Sequence, residues 1–174
     1  MEPEVHIIEK YFQEILHCFT MTNIKCKGNK EIDLLVVNPQ TLQRWHVESR
    51  VSTTFNLRKN ATYTKSGTCH RNGVDFFIKE KFDHPAVREK IADIFGREEY
   101  YQKILVVWDI SDNSIVPWSK TQYDLNICFM DDFLSELMRK RVSWGSRDDV
   151  LRTVELVQLS RKKRRKLTRT AGQP

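Results

Sequence analysis

The stretch at residues 29–51, NKEIDLLVVNPQTLQRWHVESRV, decides how the rest of the chain is read. Residues 32–37 form an apolar run of strand length. Asn38, Pro39, Gln40 and Thr41 give a turn signal, and residues 44–51 return as a second strand. The pattern predicts a β-hairpin with Asp33 on one strand and Glu48 and Arg50 on the other. A turn centred between Gln40 and Thr41 sets Asp33 opposite Glu48, whereas a slip of one residue sends the carboxylates to opposite faces. Arg50 shares a face with Glu48 because strand side chains alternate. Facing carboxylates repel, and a divalent ion between them is the commonest compensation.

Working outward, residues 4–19 fit an amphipathic helix with Val5, Ile8, Phe12, Ile15, Leu16 and Phe19 on one face. Residues 22–28 suit a short first strand. Residues 52–73 read as irregular or a weak hairpin, with Gly67 and Asn72-Gly73 as turn signals, and 74–78 as a short strand. Pro85 opens a helix that runs to Phe95, with Val87, Ile91, Ile94 and Phe95 inward and Gly96 as its stop. Residues 103–109 and 126–130 read as buried strands around a polar loop at 111–123. Asp131 or Asp132 caps a helix containing Phe133, Leu134, Leu137 and Met138. Ser146 and Asp149 resemble a capping box that opens a last helix to about Leu159. Trp45, Trp108, Phe76 and Phe77 are assigned to the core, while Trp118 and Tyr63 are left more open. The expected order is helix, three strands, helix, two strands and two helices, an α/β domain with a mixed sheet spanning residues 1–160.

The sequence E-I-D-L-L at 31–35, followed by E-S-R at 48–50, resembles the PD-(D/E)xK nuclease superfamily. That group includes restriction endonucleases, Holliday-junction resolvases and mismatch-nicking enzymes. The resemblance implies a restriction-endonuclease-like core of helix, three-strand meander, helix and strand, here over roughly residues 4–110, with C-terminal helices added. It implies that Asp33 and Glu48 bind Mg²⁺, for which Mn²⁺ can substitute, and that no organic cofactor is needed. Two residues after Glu48 the pattern ordinarily has a lysine that orients or activates water, and here that residue is Arg50. Arginine stays charged and cannot act as a base, but it clamps phosphate and stabilises developing negative charge.

Many members add an acid from the first helix. Glu9 falls at the edge of the apolar face, whereas Glu14 points further toward solvent, so Glu9 is the expected third catalytic and metal-binding acid. Each residue also has an ordinary reading. Asp33 can cap or be solvated, Glu48 can pair with Arg50 or His46 on an edge strand, and Arg50 can be a salt-bridge partner. The hairpin, the spacing and the helical acid together tip the balance toward a metal site.

The formal net charge is +6, but seven cations (Arg161, Lys162, Lys163, Arg164, Arg165, Lys166 and Arg169) lie in the last fourteen residues. Without them, residues 1–160 carry −1. Residues 161–174 are therefore a basic tail, expected to be disordered without a partner. It suits phosphate binding, nuclear-type targeting or solubilisation. Residues 49–74 contain no acid and carry Arg58, Lys59, Lys65 and Arg71 among Ser, Thr and Asn, which suits phosphate contacts. Cys18, Cys26, Cys69 and Cys128 are scattered without zinc-site spacing, so they read as reduced structural thiols. No apolar run approaches a membrane span, and the first twenty residues lack a signal pattern. An intracellular, cytoplasmic protein with DNA as its partner, no membrane, and homodimerisation as an option is the expectation. The alternative functions are a non-catalytic nucleic-acid-binding module on the same fold and, third, a protein-interaction subunit with a targeting tail.

Overall fold

A computed structural model describes residues 2–51, 56–63, 69–70, 72–96, 100–139 and 149, without the side chains of 62–63 and 69–70. In chain order the elements are α1 (Pro3–Glu14), β1 (Phe19–Cys26), β2 (Lys30–Val37), β3 (Arg44–Arg50), β4 (Thr62–Tyr63) and β5 (Cys69–His70). They continue with α2 (Val74–Phe77), a π-helical turn (Ile78–Phe82), α3 (Pro85–Phe95), β6 (Gln102–Val107), α4 (Ile115–Tyr123), β7 (Leu125–Phe129) and α5 (Met130–Arg139). The domain is α/β, with a five-stranded mixed sheet in the order β1-β2-β3-β6-β7. The strands β1, β2 and β3 are antiparallel, and β3, β6 and β7 are parallel. Parallel neighbours need long crossovers, and α3 and α4 lie in them.

The hairpin folds in the expected register: Leu34 pairs with Val47, Val36 with Trp45 and Val37 with Arg44. Its turn is set by Asn38, whose Oδ1 accepts from the N–H groups of Gln40 (2.9 Å) and Thr41 (3.1 Å). β2 is an interior strand, and Leu34, Leu35 and Val36 are each at most 1% exposed, so both sheet faces are covered here. On one face α1 and α5 bury Ile8, Phe12, Leu34, Val36, Val47 and Phe133. On the other, α3 packs Val87 and Ile91 against Ile24, Ile32 and Leu35. Beside it, α2, the π turn and α4 cover Leu105 and Leu125 with Phe77, Phe82 and Ile115.

Four local expectations are corrected. Residues 74–78 are helical rather than a strand: Val74, Phe77, Ile78 and Phe82 are all buried, at helical spacing that a short apolar run disguises. Gly73 is required before this helix, because a Cβ there would fall 2.0 Å from the Ala61 nitrogen. The supposed loop at 111–123 contains α4, which buries Ile115 and Ser119. The first helix ends at Glu14, leaving Leu16 exposed and Phe19 exposed at the start of β1. Trp108, placed in the core from sequence, is 46% exposed just beyond β6, whereas Trp45 is buried as expected. The last-helix expectation lies outside the described residues, Asp149 aside. No described helix is long and apolar enough to cross a membrane. Cys18, Cys26 and Cys128 are free thiols.

Candidate functional site

Asp33 stands next to the buried centre of β2, and Glu48 lies on the neighbouring strand, 1% exposed. The β1–β2 ladder skips the step between Asn23 and Asp33, and Asn23 takes a left-handed φ of 52°. Asparagine tolerates that conformation better than most residues. Each carboxylate has one oxygen anchored. The Ser49 N–H donates to Asp33 Oδ2 at 2.8 Å, and His46 Nε2 contacts Glu48 Oε1 at 2.8 Å. The remaining oxygens face a single ammonium, Lys81 Nζ, at 3.5 Å from Asp33 Oδ1 and 2.6 Å from Glu48 Oε2. Glu48 thus pairs with His46, one of the two partners foreseen in its ordinary reading.

Burial pushes the Asp33 carboxyl up to about 7, and the adjacent Glu48 charge adds to the rise; Lys81 and the Ser49 N–H offset only part of it. Burial alone would lower Lys81, but the two carboxylates hold its ammonium above the ordinary lysine value. The site is therefore a buried acid, Glu48, and a half-buried acid and cation, Asp33 and Lys81, that reach the cavity surface. Perturbation of this kind concentrates at functional sites.

Lys81 had no signal in the sequence, being separated from Glu48 by the acid-free segment. It arrives on the π turn, where Asp83 N–H donates to Ile78 O at 2.7 Å. Two contacts pin that turn to the sheet. Phe82 packs on the His46 ring with centroids 4.7 Å apart, and Glu80 pairs with Lys30 at 2.8 Å. Single π turns recur at functional sites because the extra residue re-aims a side chain.

A cavity of about 360 Å³ opens beside this group, lined by Glu2, Lys30, Asp33, Arg50, Phe76 and Lys81 among others. A second, of about 640 Å³, borders Asp33 and Lys81 from the β1 side and also includes Glu2. A larger cavity of about 780 Å³ lies over the end of α3, but its Lys103 and Asp83 pair with each other at 2.8 Å, and its Tyr100 hydroxyl donates to Asp124. Both smaller cavities expose Asp33 and Lys81, while Glu48 lies behind them, 1% exposed.

Of the residues expected from sequence, Asp33, Glu48 and Arg50 are brought together. Arg50 is exposed and lines the 360 Å³ cavity. Glu9 is not brought to them. Its Oε1 accepts from Thr20 Oγ1 at 3.0 Å and from Gln13 Nε2 at 3.3 Å, and it lines neither cavity. The acid that borders Asp33 is Glu2, the N-cap residue just before α1 and about two turns ahead of Glu9; its charge also raises the Asp33 carboxyl. Helical periodicity finds the rim of an apolar face but not which turn docks beside the hairpin. Among the described residues no group of three or more His, Cys, Asp or Glu side chains is gathered for a metal. Arg58 is exposed, and Lys59 lies over the Trp118 ring at 5.7 Å; neither lines these two cavities. Lys65, Arg71 and the cations Arg161, Lys162, Lys163, Arg164, Arg165 and Lys166 lie outside the described residues.

No protein-family model and no curated protein matches this chain. Among solved structures it is similar to a crystal structure described as a protein of unknown function, AF1548. The TM-score is 0.48 and the identity 11%, covering 88% of this chain and 79% of that one.

Proposed function

We propose that this chain is a Mg²⁺-dependent phosphodiesterase that cuts DNA, built on a restriction-endonuclease-like core. The reading rests on the approach of Asp33 and Glu48 to one point, each with one oxygen anchored and the other turned to the same cation. Carboxylate oxygens are hard donors of the type Mg²⁺ and Mn²⁺ take, and both acids already face positive charge, so the donor set fits. Asp33 Oδ1 and Glu48 Oε2 would hold the ion, which when bound supplies Lewis acidity and a more acidic water. Lys81, displaced from between the carboxylates, carries its charge to a phosphate oxygen, the electrostatic part of the task the family gives its lysine. Arg50 clamps the phosphate from the cavity rim. Glu2 adds negative charge on the open side of Asp33. Arg58, Lys59, Lys65 and Arg71, with the basic tail, hold the backbone of the nucleic acid.

One observation favours a second reading, a non-catalytic nucleic-acid-binding module: Lys81 already balances the two acids without a metal. Incubation of the full chain with supercoiled plasmid and with branched DNA, in Mg²⁺, Mn²⁺ or EDTA, separates the two. Cutting that needs the metal and disappears in Asp33→Ala and Glu48→Ala is the expected result. An unchanged rate in Asp33→Ala overturns the catalytic reading, and DNA retention without cutting in any metal selects the binding module. The two candidate acids from the first helix and its cap are distinguished by calorimetry with Mn²⁺. Glu2→Gln is expected to weaken binding by about threefold to tenfold and Glu9→Gln by less than about twofold, since loss of an outer charge costs less than loss of a ligand.

A further inference from the structure

The geometry points to His46 as the positioning residue of this site, the group that decides which oxygen of Glu48 meets the cation; this inference rests on the reading of Asp33 and Glu48 as metal ligands. The two acids are held by different means. Asp33 is anchored by the main-chain N–H of Ser49, which no substitution short of proline removes, whereas Glu48 is anchored by a side chain, His46, at 2.8 Å. A glutamate carboxylate rotates about a broad, two-fold torsion, so proximity to Asp33 alone does not orient it. Contact with His46 Nε2 occupies Oε1 and leaves Oε2 facing Lys81 at 2.6 Å.

The imidazole is itself rigidly set. It is fully buried, with the Phe82 ring 4.7 Å and the Tyr101 ring 6.2 Å from its centroid. His46 Nδ1 is buried and has no hydrogen-bond partner among the described residues. A carboxylate oxygen can only accept, so Nε2 is the donor of the contact with Glu48 Oε1. The position of that donor is fixed by the packing behind it. Phe82 follows Lys81 directly, so one short segment carries both the cation that meets Glu48 Oε2 and the wall that orients the group on Oε1. Partners of this kind tune a ligand without touching the metal.

Mn²⁺ titration by calorimetry or electron paramagnetic resonance, without DNA, tests the assignment in the full chain. His46→Leu, which keeps the volume and removes the donor, is expected to weaken Mn²⁺ binding by about tenfold to a hundredfold. His46→Gln, whose amide can donate to the same oxygen, is expected to recover most of that loss. Nitrogen-15 spectra of the unaltered protein provide a measurement independent of any variant, with a protonated Nε2 expected for His46. Wild-type binding that His46→Leu leaves within about twofold overturns the positioning role alone, as does an Nε2 found without a proton. A wild-type chain that takes up no Mn²⁺ overturns the metal-site reading and this inference with it.

Discussion

Asp33→Asn is expected to stabilise the protein at pH 8 while removing metal-dependent cleavage. In the fold, burial and the Glu48 charge raise the Asp33 carboxyl from 3.8 to about 7, so between those values the folded chain keeps a proton that the unfolded chain has lost. Stability then falls as pH rises through that window, and the penalty is complete above about pH 7. The ceiling on this penalty is about 4 kcal/mol, at about 1.4 kcal/mol per pH unit. Relaxation, and loss of the long contact to Lys81, reduce the expected gain to about 1–2 kcal/mol. Asparagine keeps an acceptor for the Ser49 N–H, and Lys81 keeps Glu48 at 2.6 Å. Urea unfolding should show the gain at pH 8 and its disappearance toward pH 4. Cleavage should fall at least about a hundredfold, because an amide is a poor substitute for a charged ligand. Destabilisation at pH 8 by more than about 1 kcal/mol would mean that the carboxylate is a net stabilising element and not a strained site group.

Lys81→Met should have the opposite effect on the fold. It removes the cation shared by Asp33 and Glu48 and leaves two acids in a site where Glu48 is 1% exposed. Breaking a buried ion pair by deleting one partner costs about 3–5 kcal/mol. Asp33 can recover part of that by holding its proton to higher pH, so about 3 kcal/mol at pH 8 is expected, shrinking as pH falls toward 5. Divalent ion should restore stability more in this variant than in the wild type, where Lys81 competes for the same oxygens. Ion at a hundred times its Kd contributes about 2.7 kcal/mol. Adding Asp33→Asn should relieve much of the loss, because neighbours in one network are not additive. Unfolding midpoints with and without Mg²⁺ measure all three effects. A Lys81→Met protein as stable as wild type and indifferent to Mg²⁺ would remove Lys81 from the site.

Legibility followed the range of the interactions. The hairpin could be read because its local turn at Asn38 and its two apolar runs are written within one short stretch, although the choice between two registers was not. The helix Pro85–Phe95 was equally readable from Pro85, its apolar spacing and Gly96. Short apolar or polar segments were not. Residues 74–78 carry too few turns to show a period, and Ile115–Tyr123 hides its helical face behind Pro117, Ser119 and Thr121. The acids divided in the same way: periodicity ranked Glu9 over Glu14, but docking brought Glu2 to the cavities.

By itself the sequence determined the α/β class and a hairpin with Asp33 on one strand and Glu48 on the other; the register that sets them opposite each other came from the packed sheet, because β2 is buried on both faces and alternation alone does not choose it. Only the tertiary structure decided what compensates the two acids. Lys81, far along the chain on a π turn, reaches both because Phe82 packs on His46 and Glu80 pairs with Lys30. Burial under those elements, which no local pattern encodes, is also what lifts Asp33 to about 7.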